Sequence, residues 1–114
     1  MPSTPAERLQ AIQNNYNDAL NNEPNDMAAA QTAADVSAVQ ANVHNASNAY
    51  FTAVTAAFTN DGSAVEAAYS AAMDALKSVK DARTAAEEIP KLIGKLTSST
   101  NAATNLLNAA KKLA

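Results

Sequence analysis

The sequence holds no cysteine and no tryptophan, only two glycines, one histidine, and 4% aromatic residues in 114. Without cysteine there is no disulfide framework, no thiolate zinc site, no iron–sulfur cluster and no thiol nucleophile. A single His44 excludes any site that needs two histidines from one chain. Basic residues are scarce as well: eight against eleven acidic, a net charge of −3 and a pI near 4.9. That balance speaks against nucleic-acid binding, which draws on clustered lysine and arginine. A long hydrophobic run is also missing. The stretch 27–58 is interrupted every few residues by Gln, Asn, Ser, Thr or His, so no membrane span is expected. The start, Met1 to Arg8, has no apolar segment behind it, so a cleaved signal peptide is not expected. Two localisations remain open, cytoplasmic or exported without a cleaved signal.

What the sequence has in quantity is alanine, 29 residues, followed by asparagine, 13. Alanine is the strongest helix former, and apolar residues recur at alternating spacings of three and four. Thr4-Pro5-Ala6-Glu7 reads as an N-cap, a proline in the first turn and a capping-box glutamate. Leu9, Ile12, Tyr16 and Leu20 then predict a helix over about 5–22, ended by Pro24. Val36, Val39, Val43, Ala46, Tyr50 and Val54 predict a second, long helix over 27–60. Asn60-Asp61-Gly62 is a turn, and Ser63 to Glu66 reads as a capping box for a third helix over 63–88. Pro90 separates it from a fourth over 91–113, the alternative being a kinked helix that turns at Thr97 to Thr100. No stretch alternates as a strand would.

The expected fold is all-α: one domain over 1–114, an up-and-down antiparallel four-helix bundle with alanine-rich seams and one long central helix. Seams of alanine let helices approach closely but bury little area per turn. Such a chain gains by covering more surface in an oligomer.

Charge divides the chain. Residues 1–76 carry −7 and residues 77–114 carry +4. The halves can pair inside one bundle, or acidic surface can meet basic surface between chains. The second helix has one formal charge, Asp35, in 34 residues. Its Asn, Gln and Thr surface suits a covered helix. Phe51, Val54 and Phe58 are the expected interface, since aromatics are favoured in interface cores.

Candidate chemistry is thin. His44 has no carboxylate three or four residues away, so no helical metal site forms around it. Asp74 and Asp81 share a face with Lys77 and Lys80 between them, the pattern of surface ion pairs. The 21–26 segment lacks the spacing of a calcium loop. Tyr16, Tyr50 and Tyr69 read as core residues with their hydroxyls at the edge, or as the lining of a small-molecule groove. No catalytic residue, metal or cofactor is expected. The leading expectation is a non-enzymatic structural or protein-interaction module, self-associating or with another helical protein as partner. The Ala/Asn/Thr/Ser-rich, Cys-free composition resembles that of helical subunits exported by bacterial flagellar or needle systems, a resemblance of composition alone. It implies an exported bacterial subunit or its partner protein; a small-molecule-binding bundle is a further alternative.

Overall fold

The computed structural model describes residues 3–55, 62–85 and 88–110. Of these, 92% are helical, in four helices and no strand: α1 Pro5–Ala29, α2 Ala33–Thr55, α3 Ser63–Thr84 and α4 Ile89–Ala110. They form a four-helix bundle whose described part measures 42 × 25 × 17 Å.

The main core cluster joins Ala11 and Ile12 of α1, Ala49 and Ala53 of α2, Val65 and Ala72 of α3, and Ala103, Leu106, Leu107 and Ala110 of α4. These come from the start of α1, the end of α2, the start of α3 and the end of α4, so helix directions alternate. A second cluster, Leu76, Val79, Ala82, Ile89, Leu92 and Leu96, fills the other end of the α3–α4 hairpin. Between the two lies a polar layer of buried Asn15, Ser99 and Thr100. Seams of α2 are alanine and valine as expected: Val39, Ala46, Ala49 and Ala53 are buried.

The cross-section is a rhombus. α4 touches all three other helices, α1 touches α4 across the short diagonal, and α2 and α3 do not meet. α1 likewise touches all three others, so α1 and α4 share the short diagonal and α2 lies at one end of the long one. α4 buries Ile89, Leu92, Leu96, Leu106 and Leu107, whereas α2 buries one valine and three alanines. On its α4 side the low-charge α2 borders an open, uncharged groove.

Three boundaries depart from the sequence expectation. Pro24 does not end α1, which runs on to Ala29 with Pro24 inside it. An interior proline costs about 3 kcal/mol through its missing N–H and ring clash. Here the turn beyond it is held by Asp26, which is buried and bonded to Arg83 of α3. The second helix starts at Ala33, not 27. Ala30 turns extended, and Thr32 Oγ1 accepts from Asp35 N while Asp35 Oδ2 accepts from Gln31 N. Residues 56–60 of the expected helix lie outside the described residues. Pro90 neither ends a helix nor kinks one; it sits in the first turn of α4, where its missing N–H costs nothing. Glu88 C=O accepts from Lys91 N and Leu92 N to open that helix. α4 then runs unbroken through Thr97 to Thr100.

The expected Ser63–Glu66 capping box is also replaced. Gly62 is the N-cap of α3, at φ 114°, a region that only glycine enters without strain, and no side chain caps the helix. Glu66 turns instead to the chain's N-terminal segment. The Thr4–Glu7 box of α1 forms as expected, with both reciprocal bonds.

Candidate interaction surface

Phe51 and Val54, two of the three residues expected at an interface, are exposed on α2, at 57% and 53%. Phe58 lies outside the described residues. Phe51 does not stand alone. Its ring centroid is 5.3 Å from that of Tyr50 and 5.9 Å from that of Tyr16 on α1, both tilted contacts. Tyr16 and Tyr50 stack on each other at 5.5 Å. Offset and tilted ring pairs of this kind favour a fixed geometry over a loose one. One turn beyond Tyr16, Leu20 is 41% exposed. The edge of the α1–α2 hairpin is thus an apolar strip, braced from beneath by half-buried tyrosines.

The tyrosines divide between the two roles considered for them. Tyr50 and Tyr69 pack against the main core. Tyr16 and Tyr50 also support Phe51. None of them lines the grooves described next.

Between α2 and α4 runs an open groove of about 460 Å³, lined by Asn45, Asn48, Thr52, Asn101, Thr104 and Asn108, with Ala49 and Leu107 among its walls. It carries amides and hydroxyls and no charge. His44 sits beside it in sequence, its Nε2 3.2 Å from Asn48 Nδ2 on the exposed face of α2. Among the described residues no group of three acidic or histidine side chains could hold a metal ion. No described helix is long and apolar enough to cross a membrane.

A second groove, about 340 Å³, lies between α1 and α3, lined by Asn14, Met73, Asp74, Leu76, Lys77 and Lys80. Met73 there is 47% exposed. Lys77 bonds Asp81 at 2.9 Å, one turn on along α3, and that bond raises its pKa above the ordinary lysine value.

Charged groups that cross between helices join α1 to α3 at both ends. At one, Ser3 N and Ser3 Oγ donate to the Glu66 carboxylate at 2.7 Å each, and Arg8 Nη2 lies 3.2 Å from it. Arg8 also donates through Nε to Ser3 Oγ and through Nη2 to Ser3 C=O. The Ser3 bonds, then Arg8, hold the Glu66 carboxyl below its ordinary value. At the other, Arg83 donates to Asp18 and, at 2.8 Å, to Asp26. Burial alone would lower the Arg83 pKa; the bonds to Asp26 and Asp18 outweigh it and raise the pKa above the usual guanidinium range.

Phe51 and Val54, singled out in the sequence, are exposed; Leu20, which periodicity placed in the core stripe, and Met73 are exposed as well. Sequence reasoning missed the buried Asn15. A polar residue at spacing three from Ile12 and four from Ala19 marks a core position, which is the signal that was there to find.

Comparison of the chain with protein-family models, with curated proteins and with solved structures finds no match.

Proposed function

We propose that this chain is a non-enzymatic helical interaction module that associates with a second copy of itself through the α1–α2 edge. The observation that carries the reading is Phe51 and Val54, more than half exposed, fixed on stacked Tyr16 and Tyr50. A large aromatic left in water and held rigid costs little entropy to bury against a partner. The strip is small, so the association is expected to be of the weak, transient kind. The reading of an exported helical subunit uses the same surface and adds only a place of action.

Light scattering after size exclusion tests the proposal. The wild type should gain mass with concentration, and Phe51→Glu should lose that gain while keeping its helix content. A wild type that stays monomeric at tens of micromolar overturns it.

A second reading, a bundle that binds a neutral polar molecule, draws on the uncharged α2–α4 groove. Titration with neutral polyols and oligosaccharides should then shift amide resonances at Asn45, Asn48 and Thr104. No shift at any of them would remove this reading.

A further inference from the structure

The two ends of the bundle are held together by different means. At one end the main core cluster draws on all four helices, and the bonds of Ser3 and Arg8 to Glu66 tie α1 to α3 beside it. At the other end the apolar cluster belongs to α3 and α4 alone. Ala19, Val39 and Ala46, which α1 and α2 bury toward that end, belong to neither cluster. The bonds that cross between the two hairpins there run from Asn15 to Ser99 and Thr100, and from Arg83 to Asp18 and Asp26. Two buried polar atoms have no hydrogen-bond partner among the described residues, Asn42 Nδ2 and Arg83 Nε. Arg83 stands at that end of α3, and Asn42 lies about 10 Å along α2 from Ala49, on the side away from the main cluster.

We propose that the bundle opens as a hinge: the α1–α2 and α3–α4 hairpins part at the Arg83 end and stay joined at the Glu66 end, with the Asn15 layer as fulcrum. The part of a fold that shares the least buried apolar surface opens first. Parting returns Asn42 Nδ2 and Arg83 Nε to water, which offsets some of what the lost ion pairs contribute. The main cluster would have to expose Ile12, Val65, Leu106 and Leu107 to do the same, so that end holds. Each hairpin moves as a body, because α1 with α2 and α3 with α4 make the most extensive contacts in the molecule. Arg83 is then the latch of the device, since it alone ties an ionised side chain of α3 to α1 at the end that opens. The motion takes place within one chain and does not depend on self-association.

The chain has no cysteine, so spin labels on introduced cysteines report without interference. One pair, Asn21→Cys with Ser78→Cys, spans the Arg83 end between α1 and α3; a second, Ala6→Cys with Asn105→Cys, spans the other end between α1 and α4. All four positions are exposed. Labelled chains are diluted into unlabelled ones, so that pulsed electron resonance reads distances within one molecule only. With Arg83 in place, one distance should dominate for each pair. Arg83→Met should raise the longer-distance population at the Arg83 end by roughly tenfold, while the other pair keeps its distance and circular dichroism shows the helix content kept. If Arg83→Met loses helix content, Asp18→Asn, which removes one ion pair and leaves the other, takes its place. Loss of helix content in that variant as well would show that both ends unfold as one, and would overturn the hinge. Equal broadening of both pairs, or no change in either, overturns it too.

Discussion

Ser99 Oγ donates to Asn15 Oδ1 at 2.6 Å across the α1–α4 interface, with both residues buried. Asn15 Nδ2 in turn donates to Thr100 Oγ1 at 3.2 Å. One amide thus satisfies two hydroxyls in the layer between the apolar clusters. Asn15→Leu should destabilise the fold by about 1–3 kcal/mol, since it strips a buried hydroxyl of its partner. In a double-mutant cycle by urea denaturation, Asn15→Leu with Ser99→Ala should cost less than the two separate losses added together. Strict additivity would mean the bond contributes nothing.

Asn42 shows the opposite case. It is buried on α2, and its Nδ2 has no hydrogen-bond partner among the described residues. A buried amide without a partner costs roughly 1–3 kcal/mol. Asn42→Leu, close in volume, should therefore raise stability by about 1 kcal/mol. A lower denaturation midpoint in this variant would contradict the assignment.

Ser63 and Glu66 separate cap from latch. Ser63→Ala should change stability by less than about 0.5 kcal/mol, because its hydroxyl caps nothing. Glu66 has a lowered carboxyl pKa, so its contribution is present above its ordinary value of 4.5 and lost as pH falls through the lowered one. Thermal unfolding of the wild type should weaken below pH 4.5, and Glu66→Gln should remove part of that dependence. An unchanged pH profile in Glu66→Gln would show that the latch does not act in solution.

Arg83 holds two carboxylates of α1, one of them beyond Pro24. Arg83→Met should leave buried Asp26 without its cation and cost about 2 kcal/mol, less than the ~3–5 of a fully buried pair because the guanidinium keeps some contact with water. Amide hydrogen exchange should rise most at residues 25–29, the part of α1 past the proline. Uniform exchange along α1 would show that the helix end does not depend on the clamp.

Alanine and the three-four spacing were enough to read four helices with alternating directions, because both act within a few residues. Boundaries failed where a distant partner overrode a local signal. Pro24 reads as a stop, yet the helix passes it with Asp26 tied to Arg83, 57 residues away. Ser63 reads as a cap, but Glu66 is taken by Ser3, 63 residues away. The true start of α2 was legible: Thr32-Ala33-Ala34-Asp35 is itself a cap pattern, overshadowed by the turn signal of Asn25 and Asp26. Phe51 and Val54 could be found because large apolar residues are scarce in this chain. The Met73 groove could not, since it exists only where α1 lies beside α3.

The two α1–α3 clamps have a consequence for alignment. Alanine seams are nearly featureless: slide one helix past another by a turn, about 5.4 Å, and alanine again meets alanine. Such a shift would carry Glu66 away from Ser3 and Arg8, and Arg83 away from Asp18 and Asp26, at both ends together. The first and second hairpins of the chain are therefore indexed against each other by charge, in the way two rulers are set by matching a mark at each end. A bundle too smooth to lock by shape takes its register from three carboxylates and two arginines.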